Sequence, residues 1–234
     1  MPIHSRFLVH WTGGDFHPAY APITGAIRTL YAERLKDDCR NGLLMNKGRE
    51  RIHGRNGAWI EAIISRVCFT EIRLSQARRH ANQYGRLGIG FDRDWVVQRF
   101  GNPVLYVQNA DTGVVVETLD LVRGYLADDP QKVKTLEIAL GFVKKMSHQN
   151  CDDFEHYDEM EWRILQIDHM IPRYIRPQDP SAGLYRVLVA SSDVRLLVFP
   201  DDETRRLATS DAFLSDFFAE GWPITVTVEE CADF

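Results

Sequence analysis

The sequence lacks the cysteine spacing of a disulfide framework or a zinc site. No two of its four cysteines form a Cys-x-x-Cys pair. They stand far apart, at Cys39, Cys68, Cys151 and Cys231. Zinc sites and disulfide-rich secreted domains usually need close, paired spacing, so the sequence predicts neither. A reducing, cytoplasmic environment fits this use of cysteine best.

The sequence also lacks a long apolar run and an excess of positive charge. No stretch reaches the roughly 18 apolar residues that a membrane-spanning helix needs. Met1 is followed by Pro2, His4 and Arg6 rather than by an apolar run, so we expect no membrane span and no signal peptide. The net charge of −5 argues against a general nucleic-acid coat protein, which would be basic. A local basic groove is still open, because residues 28–99 are rich in Arg and Lys.

Several site motifs are missing as well. No Gly-x-Ser-x-Gly is present, which argues against a serine hydrolase. Gly88-Ile89-Gly90 has no third glycine that opens a helix, so a dinucleotide-binding Rossmann fingerprint is not supported. The acidic and histidine residues near the middle of the chain fit no standard ligand spacing, and we predict no metal site. They are His148, Asp152, Asp153, His156 and His169.

What the sequence does have is a series of short strands interleaved with helices. Its 234 residues, 44% of them hydrophobic, are enough for one domain with a sizeable core. We predict a single α+β domain over residues 1–234, with a mixed sheet and flanking helices. The predicted strands cover residues 7–11, 67–72, 87–91, 104–107, 185–190, 194–199 and 223–228. The predicted helices cover residues 24–36, 74–84, 95–100, 119–126, 133–146, 200–208 and 210–220. Residues 46–57 are basic, glycine-rich and poor in apolar residues, which predicts a loop.

The most informative stretch is Glu159-Met160-Glu161-Trp162-Arg163. If it is extended, Glu159, Glu161 and Arg163 share one face, because side chains in a strand alternate with period 2. Two carboxylates and a guanidinium on one wall can hold hydroxyl groups or stabilise a developing positive charge. The alternative is a half-exposed edge strand whose charged residues face water.

Two earlier segments can add polar groups to the same site. His10 lies at the end of the first predicted strand, where an imidazole can hydrogen-bond a sugar hydroxyl, or simply a backbone group. Thr70, with Arg73 and Ser75 behind it, suits contact with a phosphate or carboxylate. The alternative there is a helix cap at Ser75 and a solvated arginine.

The order of these segments resembles the AbiGi family of abortive phage-infection proteins. The resemblance is carried by Leu8-Val9-His10-Trp11-Thr12-Gly13, Val67-Cys68-Phe69-Thr70-Glu71-Ile72, Tyr84-Gly85-Arg86-Leu87-Gly88-Ile89-Gly90-Phe91, Asn102-Pro103-Val104 and Glu159-Met160-Glu161-Trp162-Arg163-Ile164. It runs over nearly the whole chain. Members of that family are commonly labelled antitoxins of an abortive-infection pair, which implies a cognate toxin or antitoxin as partner.

The chain is also similar to ADP-ribosyltransferases of the DarT-like branch. His10 with Thr12 matches their strand-borne histidine and small-residue turn, and Thr70 matches their middle strand without the usual Ser-Thr-Ser. Glu159 and Glu161 match their late Glu-x-Glu. This similarity implies an ADP-ribosyltransferase-like fold and NAD as substrate.

By the same similarity, His10 and Thr12 would hold the nicotinamide ribose. Thr70 and Tyr84 would belong to the same NAD-binding set, and Arg73 or Arg78 would lie near the phosphates or the nicotinamide. Glu161 would stabilise the oxocarbenium-like ribose, and Glu159 would orient the acceptor.

Two functional hypotheses follow. The leading one is an NAD-dependent ADP-ribosyltransferase-like toxin of a phage-defence or toxin–antitoxin system that modifies nucleic acid or protein. A basic set could guide a phosphate backbone, or form a solvated face. It consists of Arg49, Arg51, Arg55, Arg66, Arg73, Arg78 and Arg79. The alternative is a non-catalytic AbiGi-type antitoxin that binds a partner toxin. The enzyme needs His10 and Glu161 at one NAD-sized cleft, whereas a binding module needs an exposed patch, for which the helix with Phe213, Phe217 and Phe218 is a candidate.

Overall fold

Strands and helices alternate in the computed structural model, which describes residues 7–18, 20–53, 59–71, 73–107, 114–145 and 160–233. The strands are β1 (Phe7–Thr12), β2 (Leu43–His53), β3 (Trp59–Thr70), β4 (Leu87–Asp92), β5 (Asn102–Pro103), β6 (Leu105–Val107), β7 (Val143–Lys145), β8 (Glu161–Leu165), β9 (Ile175–Asp179), β10 (Leu184–Val187), β11 (Val194–Phe199) and β12 (Ile224–Thr227). The α-helices are α1 (Gly25–Asn41), α2 (Ala77–Tyr84), α3 (Arg93–Gln98), α4 (Val114–Leu126), α5 (Pro130–Leu140), α6 (Asp202–Thr209) and α7 (Ala212–Phe217).

Ten of the described strands form one mixed sheet. Its main path runs β12-β11-β4-β1-β3-β2-β10-β9, and β8 and β5 branch from β3. Strands β11 and β12 are parallel, whereas the other pairs in this sheet are antiparallel. Strands β6 and β7 form a separate parallel pair. The predicted α+β architecture with a mixed sheet and flanking helices is thereby confirmed.

The long strand β3 organises this sheet, because three strands pair with it. Arg66 faces both β2 and β8, and Thr70 faces both β1 and β8, so β1 and β2 share the edge of β3 opposite β8. Strand β2 pairs with β3 only up to Arg66, and β1 joins it only at Thr70. The two strands therefore diverge, and residues 67–69 lie between them on an edge that no described strand covers.

Helices cover both faces of the sheet. On one face, α1 packs Tyr31, Leu35 and Cys39 into the main core. On the other face, Ala77 and Ala81 of α2 pack against alternate residues of β1 and β11. A third cluster joins α4 and α5 to β3 and β7. In the described ranges, no helix has the length and the apolar composition of a membrane span.

The predicted loop at residues 46–57 is wrong for residues 46–53, which belong to β2. Strand β2 pairs with β10 through residues 43–45 and with β3 through residues 46–53. Backbone hydrogen bonds to distant segments form this strand without an apolar pattern. Residues 54–57 lie outside the described part of the chain.

Several helix boundaries also differ from the prediction, among them the start of α4 at Val114 rather than at residue 119, while one cap is confirmed. The helix predicted over residues 133–146 ends at Leu140, because the chain turns at Gly141 and enters β7. Ser75 caps no α-helix, since it lies in a 3₁₀ turn before α2. Thr24 caps α1, where its Oγ1 accepts from the Ile27 N–H (3.4 Å), but α1 continues past residue 36 to Asn41.

Gly13 is expected to be essential for the close approach of the turn after β1 to α1. It has a φ of 104°, and a Cβ atom there would overlap the Tyr31 ring. Gly13→Ala should lower the free energy of unfolding by about 1–3 kcal/mol, because both strain and overpacking oppose the folded state. Gly25→Ala is the matched control, since space around it is open, and it should change stability by at most about 1 kcal/mol. Urea unfolding measures both, and equal midpoints would contradict this account.

Candidate functional site

A cleft opens where β1 and β2 diverge along β3. Its volume is about 600 Å³, which lies within the range of small-molecule sites, roughly 300–1,000 Å³. Strands β1, β2, β3 and β8 line it together with α1, the turn after β1, and the end of α2. His10 and Glu161 both line this single cleft, which is the geometry that the enzyme hypothesis requires.

His10 fills the gap between the diverging strands. It lies inside β1 rather than at its end, and its Nδ1 donates a hydrogen bond to the Cys68 carbonyl on the open edge of β3 (2.9 Å). The carbonyl can only accept, so Nδ1 carries the proton. Burial lowers the pKa of His10, and the charge of Arg34 acts in the same direction. The imidazole is therefore neutral at neutral pH, with Nε2 as a hydrogen-bond acceptor.

Thr12 is bound by a residue of α1 that the sequence did not single out. Arg34 Nη1 donates to Thr12 Oγ1 (2.7 Å), and Arg34 Nη2 contacts Asp15 Oδ2 (2.6 Å). Arg34 thus reaches the cleft and ties α1 to the turn after β1. The sequence feature that could have indicated Arg34 is its spacing from Asp38, four residues later and one helical turn along α1.

The other predicted NAD-binding residues divide into two groups. Thr70 and Tyr84 line the cleft, but the Thr70 hydroxyl is engaged where β1 meets β3, because it accepts from Trp11 Nε1 (3.0 Å). Arg73 and Arg78 are exposed and are not among the described residues that line the cleft. The guanidinium groups at the cleft belong instead to Arg34, Arg66 and Arg163.

Glu161 and Arg163 share one face of β8, as the period of 2 predicted, but that face is buried. Arg163 is 1% exposed and Glu161 4% exposed, so the alternative of a water-facing edge strand is wrong. Strands β3 and β5 pair with the two edges of β8, so it is not an edge strand, and Glu50, Lys144 and the Gly141 carbonyl contact its charged face. Met160 has a φ of 42°, which breaks the extended geometry just before Glu161. Glu159 lies outside the described residues.

The Glu161 carboxylate is held by two cations. Arg163 Nε donates to Oε1 (2.7 Å), and Lys144 Nζ donates to Oε2 (2.8 Å). Arg163 Nη2 also contacts Glu50 Oε1 (3.0 Å), and its Nη1 donates to the Gly141 carbonyl (2.7 Å). These groups form an ion network beneath the cleft that joins β2, β7 and β8.

This network decides the charge of Glu161. Burial opposes its ionisation, but the charges of Arg163 and Lys144 outweigh that effect and hold the pKa of Glu161 well below its usual range. A carboxylate in this state cannot donate a proton near neutral pH. It can act as a fixed negative charge that stabilises a cation.

Asp38, which the sequence did not single out, and Arg66, which belongs to the predicted basic set, are two further cleft residues. Burial raises the pKa of Asp38 to about 7, and its nearest cation, Arg186 Nη1, is 3.9 Å from Oδ1. Arg66 Nη2 pairs with Glu50 (2.7 Å), whereas its Nη1 is buried and has no hydrogen-bond partner among the described residues. Gly48 lets β2 pass directly over the Arg66 guanidinium, which a Cβ atom there would strike. Within the described ranges, no group of three or more metal-ligating side chains comes together.

Comparison with known families identifies the chain. The sequence model of the AbiGi family, described as an abortive phage resistance protein and antitoxin, matches residues 43–176, which is more than half of the chain. The chain belongs to the AbiGi family. A search of curated proteins and a search of solved structures gave no match. The predicted AbiGi resemblance is confirmed, and the similarity to ADP-ribosyltransferases stays a prediction.

The ion network should make a large contribution to stability. Arg163→Met removes the main partner of a buried carboxylate, so we expect the free energy of unfolding to fall by about 3–5 kcal/mol. Arg195→Met is the matched control, because Arg195 forms an exposed ion pair with Asp92 (2.8 Å) that is worth at most about 1 kcal/mol. Chemical denaturation of both variants tests this, and a loss below about 1 kcal/mol at Arg163 would refute it.

Proposed function

We propose that this AbiGi-family protein is the antitoxin of an abortive-infection pair and binds its cognate toxin through helix α4. The family description supports the antitoxin role. The observation that carries the proposal is an apolar face of α4 that is exposed to solvent. We call this face the outer stripe, and it consists of Val114, Val115, Leu121, Val122 and Tyr125.

The outer stripe follows helical geometry. Val114 and Leu121 are seven residues apart, as are Val115 and Val122, and Tyr125 follows Leu121 by four. Such spacings place side chains on one side of a helix. Tyr125 is 86% exposed and Val114 is 76% exposed, so the stripe meets water along the length of the helix.

The opposite side of α4 is apolar too. Val116 is buried there, and Leu119 packs into the cluster that includes Leu140 and Val143. A helix that is apolar on both sides is normally covered on both sides. Exposed apolar patches mark interaction sites in soluble proteins. Because α4 lies inside the matched residues 43–176, the partner that the family description implies, a toxin, is the occupant we assign to it.

The aromatic helix suggested by the sequence is less suited to this role. Phe218 is buried, and Phe213 and Phe217 pack against the main core. Their rings stabilise the fold from inside rather than forming an exposed patch. We therefore take the outer stripe of α4, rather than α7, as the candidate binding surface.

Replacing two residues of the outer stripe should abolish toxin neutralisation. The double variant Leu121→Glu and Tyr125→Glu adds two charges to the contact, so we expect affinity for the cognate toxin to fall about tenfold or more. Growth of cells that express the toxin should no longer be rescued. The melting temperature of the double variant should equal that of the wild type, because both replaced side chains are exposed.

Leu30→Glu is the matched control, since Leu30 is an exposed apolar residue on α1. It should rescue growth and bind the toxin as the wild type does. Full rescue and unchanged affinity with the double α4 variant would exclude the outer stripe as the binding surface.

A second candidate function is the NAD-dependent ADP-ribosyltransferase with a nucleic acid or a protein as acceptor. One observation favours it, namely that His10, Thr12, Tyr84 and Glu161 line a single cleft. A permanently ionised Glu161 also suits the stabilisation of a cationic ribose. Against it, both carboxylate oxygens of Glu161 already bind cations of the protein.

If the cleft is catalytic, Glu161→Gln should lower NAD turnover or label transfer about 100-fold or more, because it removes the stabilising charge. Glu71→Gln is the matched control, since Glu71 is a buried carboxylate that pairs with Arg93 and is not among the residues that line the cleft. Circular dichroism must show both variants folded at the assay temperature. No turnover by the wild type, alone or with its toxin, would exclude the enzyme and leave the antitoxin proposal intact.

A further inference from the structure

Two buried polar atoms at the cleft have no hydrogen-bond partner in the part of the chain that the structure describes. They are Asp38 Oδ2 on α1 and Arg66 Nη1 on β3. Asp38 is buried, and neither of its carboxylate oxygens accepts a hydrogen bond from a described residue. Buried polar atoms in folded proteins are nearly always hydrogen-bonded, so each exception needs an explanation. These two atoms belong to residues that line the same cavity.

The two atoms need different hydrogen-bond partners, since one is a donor and the other an acceptor. Arg66 Nη2 already pairs with Glu50, and the remaining Nη1 donor calls for an acceptor, best of all an anion. The Asp38 carboxyl calls for a hydroxyl or N–H donor. Both atoms are covered in the free protein, so a ligand requires the two side chains to rotate before it can reach them. A single molecule that satisfies both must carry an anionic group and a nearby donor.

The other residues that line the cleft, and its volume, indicate which class of ligand it can bind. Its cations are Arg34, Arg66, Lys144 and Arg163, and its anions besides Asp38 are Asp15, Glu50 and Glu161. Glu50 and Glu161 already pair with cations of the protein, so the Arg66 Nη1 donor that is left favours a negatively charged group on the ligand. The imidazole of His10 adds an aromatic ring to the lining, and bases stack on aromatic side chains, histidine included. The volume of about 600 Å³ accommodates a molecule larger than an inorganic anion.

We propose that the cleft binds a nucleoside phosphate, with its phosphate on Arg66 and one of its hydroxyl or amino groups donating to Asp38. This inference does not depend on toxin binding by α4, and it requires no catalysis. It assigns Asp38 and Arg66 as the residues that determine which ligand the cleft accepts.

The proposal carries a specific dependence on pH. The pKa of Asp38 is about 7 in the free protein, and a ligand donor favours the ionised carboxylate. Binding below pH 7 must therefore release a proton, so affinity should be about tenfold lower at pH 6 than at pH 8. The groups that face Asp38 are Arg34 and Asp37 on α1, Asp15 after β1, and Arg186 from β10.

Isothermal titration calorimetry with ADP, GDP, CDP and UDP at pH 6 and pH 8 tests the proposal, with adenosine and inorganic phosphate as partial probes. We expect at least one diphosphate to bind about tenfold more tightly than either partial probe. Arg66→Gln should weaken that binding about tenfold, and Asp38→Asn should remove the excess pH dependence. The ligand phosphate titrates equally with both proteins, so the difference between wild type and Asp38→Asn reports Asp38 alone.

Two variants away from the cleft serve as controls. Arg195→Gln removes an exposed guanidinium, and Glu33→Gln removes an exposed carboxylate on α1. Both should bind as the wild type does. If Arg66→Gln does not fold, Arg66→Lys replaces it, because it keeps the charge but loses the planar fork.

Three results would overturn the proposal. They are no binding by any diphosphate, equal binding of phosphate and diphosphate, and a pH dependence that persists in Asp38→Asn.

Discussion

The buried ion pair of Glu161 and Arg163 is the constraint on which the cleft depends. Two charges removed from water are tolerated only when partners surround them. Here the partners come from Lys144 of β7, Glu50 of β2 and the Gly141 carbonyl. The pair is therefore satisfied only when β2, β7 and β8 are all in place. Folding of the split sheet and formation of the cleft floor are thus the same event.

The same cleft holds two buried carboxyl groups whose pKa values are shifted in opposite directions. Burial acts against ionisation in both, but Glu161 has two cations in direct contact, whereas no cation of the described residues is closer to Asp38 than 3.9 Å. Glu161 is consequently a fixed charge, while Asp38 has a pKa near 7 and changes its protonation around neutrality. Different environments for like groups commonly divide roles within one site.

The spacing of residues in the sequence predicted those features of the site that depend on the geometry of single strands. The shared face of Glu161 and Arg163 follows from strand periodicity, and the convergence of His10 and Glu161 follows from their place on strands. The burial of that face did not follow, because it comes from Glu50, Gly141 and Lys144, which lie outside β8 in the sequence. Asp38 was missed for a related reason: the predicted helix stopped at residue 36, whereas α1 continues to Asn41 and carries Asp38 to the cleft.

The residues that match the AbiGi family model include only some of those that line the cleft. Residues 43–176 contain α4, β2, β3 and β8, but not β1 and α1, which supply His10, Thr12, Arg34 and Asp38. The outer stripe of α4 therefore belongs wholly to the matched region, whereas the cleft needs segments from outside it. Val143 of β7 packs in the cluster with α4, and its neighbour Lys144 binds Glu161. The two surfaces are thus joined by one short strand, although each depends on different side chains, so the two proposals can be tested separately by mutation.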